Sequence, residues 1–98
     1  MYRLYFLTTI RIEEKGGTDC RCVGFYDELK VARDVLKKHS VMLGEQGWYK
    51  YAVIEAFSSG WYPCSEKEEW YQFRDKDRKV VKIEKPKRFR NTCNFAIG

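Results

Sequence analysis

The alternation of apolar and polar positions divides the chain into strands with one helical stretch between them. From Gly47 to Phe57 runs Gly-Trp-Tyr-Lys-Tyr-Ala-Val-Ile-Glu-Ala-Phe. It is the longest stretch rich in β-branched and aromatic residues, the composition that suits a packed, pleated surface. Alternation places Trp48, Lys50, Ala52, Ile54 and Ala56 on one face, with Tyr49, Tyr51, Val53, Glu55 and Phe57 on the other. The small residues leave room for a helix, and the aromatics opposite them require a cover. A strand apolar on both faces belongs in the middle of a sheet.

Around it, Tyr2 to Ile12 alternates as a first strand. Glu13-Glu14-Lys15-Gly16-Gly17 is a polar connection ending in two glycines, as a hairpin requires. Thr18 to Phe25 continues as a second strand, with Cys20, Cys22 and Gly24 on one face. Asp27 predicts an N-cap, with a helix from Glu28 to about Leu43 and a stop at Gly44. Its apolar arc is Leu29, Ala32, Leu36 and Leu43, widened by Val31, Val35 and Met42, and His39 falls within it. That position predicts a partly buried histidine at the seam between sheet and helix.

Beyond the central strand, Ser58-Ser59-Gly60 reads as a turn and Trp61-Tyr62-Pro63-Cys64 as extended chain. Glu69–Arg74 and Val80–Lys85 read as a hairpin around residues 75–79, which Pro86 ends. Lys87-Arg88-Phe89-Arg90 is a basic connector, and Thr92–Ile97 reads as a last strand with Cys93, Phe95 and Ile97 inward. Residues 1–98 therefore predict a single α+β domain. Its mainly antiparallel sheet of about six strands follows the order β-β-α-β-β-β-β, with one helix on one face. One helix covers only part of such a sheet. Tyr49, Tyr51, Phe57, Trp61, Tyr62, Trp70, Tyr71 and Phe73 then need a further cover, from the hairpin folding back or from a second subunit. The expectation is a homodimer joined through aromatic side chains.

Composition narrows the class. A hydrophobic content of 44% and an aromatic content of 16% exclude a disordered chain, and no window has the length of a membrane span. Met1-Tyr2-Arg3-Leu4-Tyr5-Phe6-Leu7-Thr8 lacks the long apolar region and cleavage site of a signal peptide, so the expected location is the cytoplasm. In that compartment Cys20, Cys22, Cys64 and Cys93 are expected as reduced thiols. Cys20-x-Cys22 is one residue short of zinc-ligand spacing, and neither a metal nor another cofactor is expected. The sequence has no Gly-x-Ser-x-Gly, phosphate loop or His-Glu-x-x-His. These absences favour a non-catalytic protein; a small enzyme using a cysteine paired with His39 is the alternative.

Charge supplies the functional clue. Residues 1–30 carry five basic and five acidic groups and residues 31–66 four of each, while residues 67–98 carry ten basic and five acidic. The net excess of +5 thus lies wholly in the last third. Arg74, Arg78, Lys79, Lys82, Lys85, Lys87, Arg88 and Arg90 form the candidate anion-binding set. Trp61, Tyr62, Trp70 and Tyr71 are the candidate aromatic contacts beside it. The partners this implies are a nucleotide, a nucleic acid or an acidic host protein. The competing reading is a solvated edge, since lysines commonly keep edge strands from pairing.

Tyr51-Ala52-Val53-Ile54-Glu55, Gly60-Trp61-Tyr62-Pro63 and Phe95-Ala96-Ile97-Gly98 carry a resemblance that spans nearly the whole chain. In these motifs it resembles a group of short uncharacterised proteins of bacteria and their phages or prophages. The resemblance implies a small accessory protein encoded by a mobile element and interfering with host defence. It brings no functional residue with it, because the shared motifs are structural.

Overall fold

The computed structural model describes residues 3–58 and 65–96, apart from the Gln46 side chain. The expectations for Tyr2, Ser59-Gly60, Trp61–Cys64 and Ile97 lie outside those residues. Five strands form one antiparallel sheet: β1 (Arg3–Ile12), β2 (Thr18–Tyr26), β3 (Tyr51–Ser58), β4 (Lys67–Phe73) and β5 (Val80–Ile83). Their order is β2-β1-β3-β4-β5, which puts the strand apolar on both faces at the centre. The α+β class and mainly antiparallel sheet agree with the sequence pattern, but among the described residues the strand count is five rather than about six. In the β1–β2 connection Gly16 N–H donates to the Glu13 carbonyl at 2.9 Å. Gly16 there has φ +87°, a left-handed conformation that glycine adopts without a Cβ clash.

The expected single helix is two short ones, α1 (Leu29–Lys38) and α2 (Ser40–Gly44). His39 leaves helical geometry at φ −112°, ψ 21°, which breaks the run between them. The break lets Leu43 join Leu29 and Val35 against the core beneath Ala32 and Leu36, while Met42 and His39 turn to solvent. His39 is therefore exposed rather than seated at the seam. Glu28, not Asp27, occupies the N-cap position, and no side chain caps the helix.

A 3-10 turn at Glu45–Gly47 follows, with left-handed backbone at Glu45 (φ 47°) and Gly47 (φ 98°). The central strand consequently starts at Tyr51, four residues later than the apolar run. From there the predicted alternation holds. Ala52 and Ile54 pack under the helices with Leu7, Tyr71 and Phe73, and Val53 faces the other way with Ile10 and Trp70. Tyr49, which precedes the strand, joins the helix side.

The opposite face is covered by the chain's own C-terminal segment. Phe89 stacks on Trp70 at 5.4 Å between centroids, and Phe95 meets both rings edge-on at 5.1 and 5.6 Å. Burying each of these phenyl rings is worth about 1.5–3 kcal/mol. The expected last strand at Thr92–Ile97 is irregular chain and a turn over its described part. The cause lies in β3. The Glu55 side chain is fully buried, and its carboxylate accepts N–H bonds from Phe95 and Ala96, each at 3.0 Å. A side-chain carboxylate thus takes the amides that a neighbouring strand's carbonyls would have bound, with Asn94 at φ 61° turning the backbone toward it.

Candidate functional site

The β4–β5 hairpin and the segment after it hold the whole candidate anion-binding set, but its members do different things. Arg74 pairs with Asp77 through two bonds, at 3.2 and 2.7 Å, across the hairpin turn. Arg78 Nη2 donates to the Tyr49 carbonyl at 2.7 Å and Nη1 to Asp75 at 3.2 Å, with the guanidinium lying over the Phe73 ring. It ties the hairpin to the start of β3. Lys85 donates to Glu68 at 2.9 Å and to the Thr92 carbonyl at 2.7 Å. Arg88 donates to the Gly16 carbonyl at 2.9 Å, binding the C-terminal layer to the β1–β2 turn. These four cations hold the fold together.

Lys79, Lys82, Lys87 and Arg90 are the remainder. All four are exposed, and their side chains enter no hydrogen bond or ion pair among the described residues. Lys76, also exposed, behaves the same way. Within residues 74–90 the aspartates are already matched, and Glu84 has no such bond among the described residues. Lys79 and Lys82 lie on or beside edge strand β5, and Lys87 and Arg90 lie in and just after the 3-10 turn Lys87–Phe89. None of the four lines any of the principal clefts. The free charge is therefore divided between the β5 edge and the 3-10 turn of the C-terminal layer rather than gathered around a principal cleft.

The aromatic half of the expectation falls elsewhere. Trp70 and Tyr71 are each 3% exposed and face opposite sides of the sheet, in the two separate cores. Neither offers a ring face for stacking on a base. Trp61 and Tyr62 lie outside the described residues. The aromatic surplus that motivated a dimer contact is, over the described strands, covered by the C-terminal segment on one side and the helices on the other.

Two carboxylates set the internal electrostatics. Glu55 and Glu68 are cross-strand partners. Glu68 is neutralised by Lys85 and also accepts from Trp70 Nε1 at 2.9 Å and from the Ser65 hydroxyl at 3.0 Å. Burial pushes the Glu55 carboxyl above its ordinary range; the Phe95 and Ala96 amides oppose that shift, and the Glu68 charge adds to it. On the helix side, Arg33 forks onto Glu69 at 2.8 and 2.7 Å and joins α1 to β4. The Arg33 bonds hold Glu69 below the usual carboxylate range. The Tyr71 hydroxyl also donates to Glu69, and burial together with that bond raises the phenol's pKa.

The cysteines differ from the expectation of four reduced thiols. Cys93 is disulfide-bonded, whereas Cys20 and Cys22 are free and exposed. Disulfides need spatial proximity, which spacing along the chain does not report, and they persist in oxidising surroundings. Cys20 and Cys93 share the walls of a cleft of about 470 Å³ with Thr18, Phe89, Thr92, Asn94 and Phe95. Burial and the nearby Asp19 and Glu55 charges push the Cys20 thiol up, away from the thiolate a nucleophile needs. His39 sits between the two helices, on the other side of the sheet from that cleft.

Among the described residues no three His, Cys, Asp or Glu side chains gather as a metal site, and no helix is long and apolar enough to cross a membrane. Compared with protein-family models, with curated proteins and with solved structures, the chain matches none.

Proposed function

We propose that this chain is a non-catalytic binding module that captures an extended polyanion through β5 and the 3-10 turn that follows it, a nucleic-acid phosphate backbone being the class that fits best. The observation that carries the reading is the sorting of the basic residues. Arg74, Arg78, Lys85 and Arg88 are consumed in structure, while the exposed side chains of Lys79, Lys82, Lys87 and Arg90 make no hydrogen bond or ion pair among the described residues. Cations of this kind bind phosphates by releasing the counterions condensed on them. Their division between two segments, outside the principal clefts, suits a chain of phosphates better than a single nucleotide, which calls for a cavity with converging polar groups. The burial of Trp70 and Tyr71 points the same way, to contact with the backbone rather than with bases. The resemblance to short phage and prophage proteins supports a role in host-defence interference through such capture.

The test is Lys82→Glu combined with Lys87→Glu and Arg90→Glu. None of the three side chains makes a hydrogen bond or ion pair among the described residues, so circular dichroism should be unchanged. Fluorescence anisotropy with labelled single-stranded and duplex oligonucleotides should show binding by the parent and its loss in the variant. Equal binding by both proteins would assign the lysines to edge protection alone. Parent binding to polyglutamate but to neither oligonucleotide would transfer the site to an acidic protein partner.

A further inference from the structure

We infer that β2 is a pairing edge whose occupant is β2 of a second copy of this chain, running antiparallel about a two-fold axis at Cys20. The two outer strands of the sheet are built differently. β5 has four residues, carries Lys82 and is followed by Pro86, features that discourage edge pairing. β2 has nine residues and no proline, and every residue from Thr18 to Cys22 is exposed.

The hydrogen-bond pattern fixes which backbone groups that edge presents. Glu13 N–H donates to the Gly17 carbonyl at 2.8 Å, so this pair closes the β1–β2 turn as a bonded pair. Bonded and non-bonded pairs alternate along an antiparallel ladder. Given the register, Arg11–Asp19 and Thr9–Arg21 then exchange bonds, whereas Ile12–Thr18, Ile10–Cys20 and Thr8–Cys22 do not. An independent contact agrees: the Ile10 carbonyl accepts from Lys50 N–H at 2.9 Å, on the β3 side and away from Cys20. The N–H and C=O groups of Thr18, Cys20 and Cys22 therefore point out of the sheet.

Charge selects the register. With Cys20 opposite Cys20 of the second copy, Thr18 exchanges bonds with Cys22, and Asp19 lies directly across from Arg21 on each side of the axis. Asp19 forms no ion pair among the described residues. Arg21 bonds Glu45 at 2.8 Å from a side chain that is 61% exposed, which leaves it open to a second carboxylate. The neighbouring registers fail. Setting Thr18 against Cys20 places the two Asp19 carboxylates face to face, and setting Cys20 against Cys22 does the same to the two Arg21 side chains. Setting Cys22 against Cys22 runs the pairing into the irregularity of β2 beside the Leu7/Thr8 step. Opposite charges directly across a ladder stabilise it and like charges destabilise it.

The experiment is a charge swap read by sedimentation velocity at micromolar concentration, with circular dichroism confirming each fold. The parent should sediment as a dimer. Asp19→Arg and Arg21→Asp, each creating like-charge pairs, should weaken association by about tenfold or more. The double variant Asp19→Arg/Arg21→Asp, which restores opposite charges, should dimerise again. Bonded residues across such a ladder have Cα atoms about 5.5 Å apart, within disulfide range. Mild oxidation should therefore give a covalent dimer that Cys20→Ser abolishes and Cys22→Ser preserves. A monomeric parent, a double variant that stays monomeric, or a cross-link requiring Cys22 would each overturn the inference.

Discussion

Replacing Glu55 with alanine probes the contact on which the second layer rests. The substitution removes the acceptor that the Phe95 and Ala96 amides have among the described residues, both at 3.0 Å. A buried donor left unmatched costs about 1–3 kcal/mol, and the lost methylene packing adds about 0.8 kcal/mol per group. Against these stands relief from burying a carboxylate whose pKa is already raised by desolvation. The net expectation is a loss of about 3 kcal/mol. With a urea m-value of about 2 kcal/mol/M for a domain of this size, the midpoint should fall by about 1.5 M. Glu55→Gln keeps one acceptor and turns a donor toward the other amide, so its loss should be smaller, about 1–2 kcal/mol. Native-state hydrogen exchange localises the effect, because in Glu55→Ala the Phe95 and Ala96 amides should lose protection before those of β1 and β3. A midpoint within about 0.25 M of the parent, roughly 0.5 kcal/mol, with both amides still protected, would refute the cap and return the segment to strand pairing.

Three further outcomes follow from the same contacts. Glu69 has a lowered pKa, so its contribution is present above the unfolded carboxylate value and is lost as pH falls through the folded one. Glu55 has the opposite sign, favouring the fold most when protonated and losing that contribution as pH rises through its raised pKa. Glu69→Gln should thus flatten acid destabilisation, and a stability–pH curve unchanged from the parent's below pH of about 4 would contradict the pairing with Arg33. In ultraviolet titration Tyr71 should stay protonated beyond the ordinary phenol range and ionise earlier in Tyr71→Phe-corrected difference spectra of Glu69→Gln; no change there would remove the hydroxyl–carboxylate bond. Alkylation without reductant should label Cys20 and Cys22 but spare Cys93, and labelling of Cys93 would contradict the disulfide.

The sheet was legible because its code is local. Alternation along β1 and β3 reports faces directly, and the Gly16-Gly17 turn joins β1 to β2 at the expected place. The central position of β3 followed from apolar residues on both of its sides. What local pattern could not show was Glu55, which looks in sequence like one polar position on a strand but binds amides about forty residues later. Cys93 and Phe95 alternate as a strand would, and Phe95 is indeed buried, yet that burial is achieved by irregular chain on the sheet's face rather than by pairing in its plane. The expected single helix from Glu28 to about Leu43 is two short helices, and the break at His39 is not legible because nothing in Lys37-Lys38-His39-Ser40 is a strong breaker. For the candidate site, the charge asymmetry marked the right segment. It could not separate Lys85 and Arg88, which bind carbonyls, from Lys82, Lys87 and Arg90, which do not. That distinction depends on tertiary partners.

The proposed function is tested most directly by the salt dependence of oligonucleotide binding to the unmodified protein. Four phosphate contacts, from Lys79, Lys82, Lys87 and Arg90, correspond to a slope of log K against log salt of about −3 on a single strand and about −3.6 on a duplex. A slope in that range, falling to near zero when those four residues are neutralised, is the result the account requires. A slope near zero in the parent, or one that survives neutralisation of the four, would contradict it.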